Sequence, residues 1–214
     1  MSQEERSAAF LEMLERLHER HLVGVEGVRE VWLIRHADAY TGIETIGPGL
    51  VDPPLSPVGR EQAARLAARL ADISIDAVWS SDLRRAVETA QAVAAGHGLE
   101  VSQDPRLREV RTTWDEGGSA PLGEPGQYPF PESEQSVLAR MTDFMKQLVG
   151  GLRPDGRAVV VSHNAAIGIY VSGVLGLGWG KLPILPVYTS ITILAAKDER
   201  VVVRSLADAT HLLG

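Results

Sequence analysis

At 214 residues, with 44% hydrophobic and 23% charged side chains, the chain has the composition of an ordinary globular protein and the length for one large α/β domain. A formal net charge of -7 argues against a general nucleic-acid surface, yet it leaves room for an anionic ligand wherever a few arginines set the field of a cleft. The absence of cysteine excludes a disulfide framework, thiol catalysis and Cys-ligated zinc, and it fits a reducing cytoplasm.

Residues 3 to 22 place Phe10, Leu11, Leu14, Leu17 and Leu22 among acidic and basic residues, one apolar stripe on a charged helix. Nothing in Ser2 to His21 has the apolar run or cleavage site of a signal peptide. The stripe is expected to pack on its own domain, with a dimer contact or a partial lid as the alternatives. Residues 1–26 are read as a helical extension and 27–214 as the domain proper.

After Gly24 and Gly27, Val31-Trp32-Leu33-Ile34 reads as a strand buried on both faces, and it stops at Arg35-His36. Asp38 to Pro57 is rich in glycine and proline and is expected to be a loop. Ser56-Pro57 then opens a helix reaching about Asp72, with a serine cap and a proline in the first turn. Asp76 to Trp79 is the second strand, Asp82 to Ala95 a helix ended by Gly96, and Leu99 to Val101 a short strand.

Residues 105–131 form a long connection broken by glycines and prolines, of a length more often functional than idle. A helix from about Ser133 to Val149 precedes the strand Ala158 to Val161, and another spans about Ala165 to Leu175. The uncharged stretch Ala158 to Trp179 is interrupted by Ser162-His163-Asn164 and glycines, so it reads as a strand and a helix rather than a membrane span. Val187 to Ala195 and Arg200 to Ser205 are strands joined by a turn near Asp198-Glu199. The alternation predicts an α/β single-domain three-layer sandwich, a mostly parallel sheet flanked by helices.

Such sheets keep their chemistry beyond the carboxyl ends of the strands. Three predicted strands end there in polar clusters: Arg35-His36, Ser80-Ser81-Asp82-Leu83-Arg84-Arg85, and Ser162-His163-Asn164. Arginine forks suit a phosphate dianion, and a neutral imidazole can act as nucleophile near pH 7. A second histidine can donate to a phosphate oxygen, and a glutamic acid can protonate the leaving oxygen. Arg35, His36, Arg85, His163 and a nearby Glu make a complete set without metal or other cofactor.

The ordered motifs Ile34-Arg35-His36-Ala37, Asp52-Pro53-Pro54-Leu55-Ser56-Pro57-Val58-Gly59, Ser80-Ser81-Asp82-Leu83-Arg84-Arg85-Ala86, Leu107-Arg108-Glu109 and Val161-Ser162-His163 resemble the histidine phosphatase superfamily, also called the phosphoglycerate mutase-like family. The likeness spans about Val31 to His211. It implies a phosphoglycerate mutase-like fold and a phosphohistidine on His36, with Arg35, Arg85 and His163 completing the phosphate pocket. Glu109 matches the general acid. In another branch the acid is an Asp directly after the second histidine, where this chain has Asn164, kept here as a substrate-binding candidate.

Two positions depart from the family pattern. Ala37 follows the nucleophile where glycine is usual, and Gly42 stands where many members carry an asparagine phosphate donor, for which Ser56 is a candidate substitute. Glu116, Glu124, Glu132 and Asp115 also lie near enough in sequence to compete for the acid role. Trp114, Tyr128 and Phe130 could wall the pocket or fasten the loop, while His18, His21, His97 and Arg84 read as surface residues and His211 as structural. The family's mutases carry a long helical insertion before the second histidine and a shielding tail. The short segment between Glu109 and His163 and the early end of the chain therefore favour hydrolysis.

The expected activity is hydrolysis of a phosphomonoester, with a small phosphorylated metabolite as partner and neither nucleic acid nor membrane. A homodimer is left open. Mutase-type phosphoryl transfer and a phosphate- or phosphoprotein-binding module are the alternatives, and protein-phosphohistidine is a further substrate class.

Overall fold

The computed structural model describes residues 3–41, 52–111, 132–178, 181 and 184–213. Among these residues eleven α-helices and strands follow in order: α1 (Gln3–Arg20), β1 (Arg29–Arg35), α2 (Pro57–Leu70), β2 (Ala77–Ser80), α3 (Arg84–His97), β3 (Val101–Gln103), α4 (Glu134–Gly151), β4 (Arg157–Ser162), α5 (Asn164–Val174), β5 (Ile191–Lys197) and β6 (Arg200–Asp208). The strands form one sheet in the order β3-β2-β4-β1-β5-β6. The first four are mutually parallel, as helix-linked crossovers require, whereas β5 runs antiparallel to β1, and β6 antiparallel to β5. A tight turn at Asp198-Glu199 suffices for that last pair, with Asp198 at φ 54°.

Alternation along β1 divides the core into two layers. Val31 and Leu33 join Met141, Phe144, Ile167 and Val171 of α4 and α5 on one face. Trp32 and Ile34 join Leu66, Leu70, Ala90 and Val93 of α2 and α3 on the other. Because both faces are covered, β4 carries a run of valines with no polar alternation. The stretch 158–178 thus holds a strand and a helix, and among the described residues no helix is long and apolar enough to cross a membrane.

Helix starts are where the sequence marks them. Ser56 caps α2 by accepting the Gly59 N–H, and Ser133 caps α4 by accepting the Ser136 N–H. Gly98, at φ 64°, ends α3 two residues beyond the expected stop at Gly96, because the left-handed turn falls there. The first helix departs from expectation more sharply. All but one of the described side chains in α1 are exposed, Leu14 alone being half-buried, so of the expected stripe Leu22, beyond the helix, packs on its own domain and the helical part does not.

Candidate functional site

β1 delivers His36 and β4 delivers His163 to the same end of the sheet, because the strands are parallel and adjacent, with Arg35 opposite Ser162. The two rings come within 5.0 Å, centroid to centroid. Arg85, in the first turn of α3, lies between them: Nε donates to His36 Nε2 at 3.3 Å and Nη2 to His163 Nδ1 at 3.2 Å. All three are buried.

The hydrogen bonds fix both tautomers. His36 Nδ1 lies 2.7 Å from its neighbour's carbonyl, Ala37 O, which can only accept. The proton is therefore on Nδ1, and Nε2 carries the ring's lone pair, which accepts from Arg85 Nε. In His163 the logic reverses: Nδ1 accepts from the arginine, so Nε2 bears hydrogen, and among the described residues it has no partner. Burial first, then the charge of Arg85, push the His36 pKa down to about 3, and His163 is lowered well below its usual value by burial and its neighbours His36 and Arg85. Both imidazoles are neutral at pH 7.

Arg35 donates through Nη1 to Pro186 O (2.9 Å), while its guanidinium stacks 3.9 Å from the ring centroid of Tyr188. Burial lowers its pKa, which in an arginine leaves the charge in place. Tyr188 and Tyr40 also approach His36, at 5.8 and 6.5 Å between centroids. Sequence reasoning missed both tyrosines as pocket walls. The signal for Tyr40 was its place in the loop after His36, but Tyr188 reaches Arg35 only through the β1–β5 pairing.

The loop that follows His36 is held by a compact network. Thr89 donates to Arg85 O (2.7 Å) and accepts from Ala37 N (3.0 Å), tying the residue after His36 to the helix that carries Arg85. The Ala37 N–H is thereby occupied. Asp38 N donates to Gln62 Oε1, and the Asp38 carboxylate accepts from Ser56 Oγ at 2.5 Å. α2 comes so close that a Cβ on Gly59 would lie 1.8 Å from Asp38 O. Ser56 is consequently not a spare phosphate donor: its hydroxyl donates to Asp38 and accepts from Gly59 N.

Glu109 stands at the amino end of α5, where the N-cap residue His163 offers no capping side chain. Its Oε1 accepts from Val110 N and Ala166 N, both at 3.0 Å, and its Oε2 from Ala165 N at 3.2 Å. The carboxylate thus serves the helix whose cap is His163, and its charge is felt by Arg35 and Tyr40. Glu132, a competitor for the acid role, is bound to Arg140 at 2.8 Å and to Arg111 N. Asp115, Glu116, Glu124, Trp114, Tyr128 and Phe130, like Gly42, lie outside the described residues. Asn164 opens α5 with Oδ1 buried and unpartnered among the described residues. Arg84 is exposed and paired with Glu88, while His211 is bonded to Thr189.

Three buried hydrogen-bond donors around His36 have no acceptor among the described residues: His163 Nε2, Arg85 Nη1 and Arg35 Nε. Arg85 Nη1 has only the carboxylate of Asp52 at 3.6 Å. Such an arrangement suits a tetrahedral oxyanion, whose oxygens would satisfy donors that are otherwise costly to bury.

A family model described as the histidine phosphatase superfamily (branch 1) matches residues 31–209. The chain is 35% identical over 163 residues to a protein of Cronobacter sakazakii named "Probable phosphoglycerate mutase GpmB", covering 69% of this chain and 75% of that one. Among solved structures it is similar to a mycobacterial glucosyl-3-phosphoglycerate phosphatase in complex with VO3, at 25% identity and TM-score 0.68, covering 85% of this chain and all of that one. It is also similar to a phosphoserine phosphatase of Entamoeba histolytica in complex with 3-phosphoglyceric acid, at 25% identity and TM-score 0.67 over 86% and 99% of the two chains.

Proposed function

The chain belongs to branch 1 of the histidine phosphatase superfamily, and from that premise we propose that it hydrolyses a phosphomonoester through a phosphohistidine on His36, without metal. The observation that carries this reading is the neutral, buried His36 bonded to Arg85, together with three buried donors on Arg35, Arg85 and His163 that lack an acceptor among the described residues.

In the first step Arg85 Nε gives up its bond to His36 Nε2 in favour of the phosphate, the lone pair so released attacks phosphorus, an N–P bond forms and the bond to the leaving oxygen breaks. Arg35, Arg85 and His163 Nε2–H take the non-bridging oxygens, and the Asn164 amide borders the same space. As His36 becomes cationic on phosphorylation, its Nδ1–H stays on Ala37 O, which orients the ring. Glu109 gives the proton to the leaving oxygen. Oε2 accepts one backbone N–H and so retains a lone pair on which to carry it. In the second step Glu109 takes a proton from water, whose oxygen attacks phosphorus, and the P–N bond breaks to return His36 and release inorganic phosphate.

We infer a small phosphorylated metabolite as substrate, a class named in the phosphatase structures the chain resembles. The names of the sequence relatives favour a second reading, in which a phosphoglycerate hydroxyl replaces water as acceptor. The test is hydrolysis of p-nitrophenyl phosphate, with EDTA present and vanadate as competitor, by the wild type and by His36→Ala. We expect activity that survives EDTA, yields to vanadate and vanishes in the variant. Wild-type activity in His36→Ala would overturn the assignment. Interconversion of phosphoglycerates faster than phosphate release would instead select the mutase.

A further inference from the structure

A groove of about 750 Å³ lies at the other end of the strands from the histidines. It includes Arg29 and Val31 at the start of β1, whereas His36 follows that strand's last residue. Its walls are the apolar side chains of Met145 and Val149 from α4, Val174 from α5 and Val201 from β6. Arg29, Lys146 and Arg200 outnumber Asp198 and Glu199 among its charged groups.

The groove begins at the root of α1, since Arg20 lines it as well. From that root α1 leaves the body with its apolar face uncovered. Phe10, Met13, Leu14 and Leu17 are spaced three and four apart on one side, and Phe10, Leu11, Met13 and Leu17 are 47% to 59% exposed. A contiguous apolar strip on an 18-residue helix, about 27 Å long, marks a contact surface rather than a solvent face. The helix carries five glutamates against three arginines, the opposite balance to the groove.

The helix is not free to fold back over its own groove. Leu22, fully buried at φ 55°, is anchored with Val28 and Ala195. Arg200 donates to Glu19 O (3.1 Å) and Arg204 to Leu22 O (2.6 Å), so two guanidinium groups fix the direction in which α1 departs.

We propose that α1 of a second copy of the chain fills this groove, and that two copies exchange their helices about a two-fold axis beside the Arg20–Arg200 edge. Phe10, Met13, Leu14 and Leu17 of each copy seat on Met145, Val149, Val174 and Val201 of the other, with glutamates of the helix facing Arg29 and Lys146. The contact is isologous, so one pairing satisfies both helices and both grooves and leaves no free end for further growth. It extends the reading of residues 1–26 as an appendage to the domain, and it stands independently of the chemistry at His36.

Sedimentation velocity across a concentration series tests it, with circular dichroism to verify folding. The wild type is expected at twice the chain's 23.1 kDa. Phe10→Glu combined with Leu17→Glu, and separately Val149→Glu, should raise the dimer dissociation constant roughly 100-fold. The charge reversal Lys146→Glu, at an exposed position, gives a groove variant that does not threaten the fold and should weaken the dimer in the same direction. Because the chain has no cysteine, Leu14→Cys and Val149→Cys can be mixed and treated with a short bis-maleimide, and a covalent heterodimer is the expected product.

A wild type that stays monomeric throughout, with or without affinity for phospholipid vesicles, overturns the proposal. So does a dimer indifferent to both sets of variants. A dimer lost on changing α1 but kept by both groove variants would mean helix-to-helix pairing, and would overturn it too.

Discussion

Acidification tests the electrostatic picture of the pocket most directly. His36 and His163 are neutral in the folded protein, whereas in the unfolded chain each regains an ordinary imidazole pKa. The unfolded state therefore binds more protons below that value, and the stability present above about pH 6.5 is lost as pH falls toward the folded pKa of about 3 for His36. For one such group the loss between pH 7 and pH 4.5 is about 2.6 kcal/mol, from 1.36 kcal/mol per pH unit below the unfolded pKa. Burial of both rings means that solvent screening takes little from this figure. Urea unfolding at pH 7, 5.5 and 4.5 should show His36→Gln losing about 2 to 3 kcal/mol less than the wild type over this range. Every other ionisable side chain is common to the two proteins, so the difference isolates the buried imidazole. Equal pH dependence in the two would refute the assignment of a neutral, depressed His36.

Two further outcomes follow from contacts at the pocket. Glu109→Gln should slow hydrolysis of an alkyl phosphate by about 10² to 10⁴, while p-nitrophenyl phosphate, whose leaving group needs little protonation, loses about tenfold or less; equal losses on the two substrates would move the acid role elsewhere. Gly59→Ala drives a methyl into Asp38 O, a backbone atom that cannot swing aside. It should cost about 3 kcal/mol or more, read as a fall in Tm of roughly 6 to 12 °C, and an unchanged Tm would show that α2 can retreat without harm.

What the sequence revealed and what it concealed divide along a physical line. The convergence of Arg35, His36, Arg85 and His163 was legible because each ends a strand or begins a helix, and parallel strands bring such ends to one edge. Ser56 was legible as a cap, and its second bond, to Asp38, was not, because that contact depends on how tightly α2 approaches the loop. Glu109 could be marked from its motif, but its part in holding the start of α5 depends on the helix that follows β4. The antiparallel pair β5 and β6 carries little that separates it from parallel strands, apart from the short turn between them. The exposure of α1 was the costliest misreading: an amphipathic stripe says that a surface is to be buried, and is silent about which molecule buries it.

Arg140 gives the long connection a property that its own residues do not have. This one guanidinium donates to the carbonyls of Arg106 (2.6 Å), Arg108 (2.7 Å) and Glu109 (3.2 Å), and it also holds the carboxylate of Glu132. Glu132 in turn accepts from Arg111 N at 3.1 Å. The two ends of residues 112–131 are thereby stapled to one another and to α4, irrespective of what lies between. Evolution can then treat the interval as a replaceable cassette. The bonds that hold Glu109 over α5 lie outside this interval, so residues changed within it leave that station in place. A scaffold so arranged can change the molecules it admits without rebuilding the atoms that would act on them.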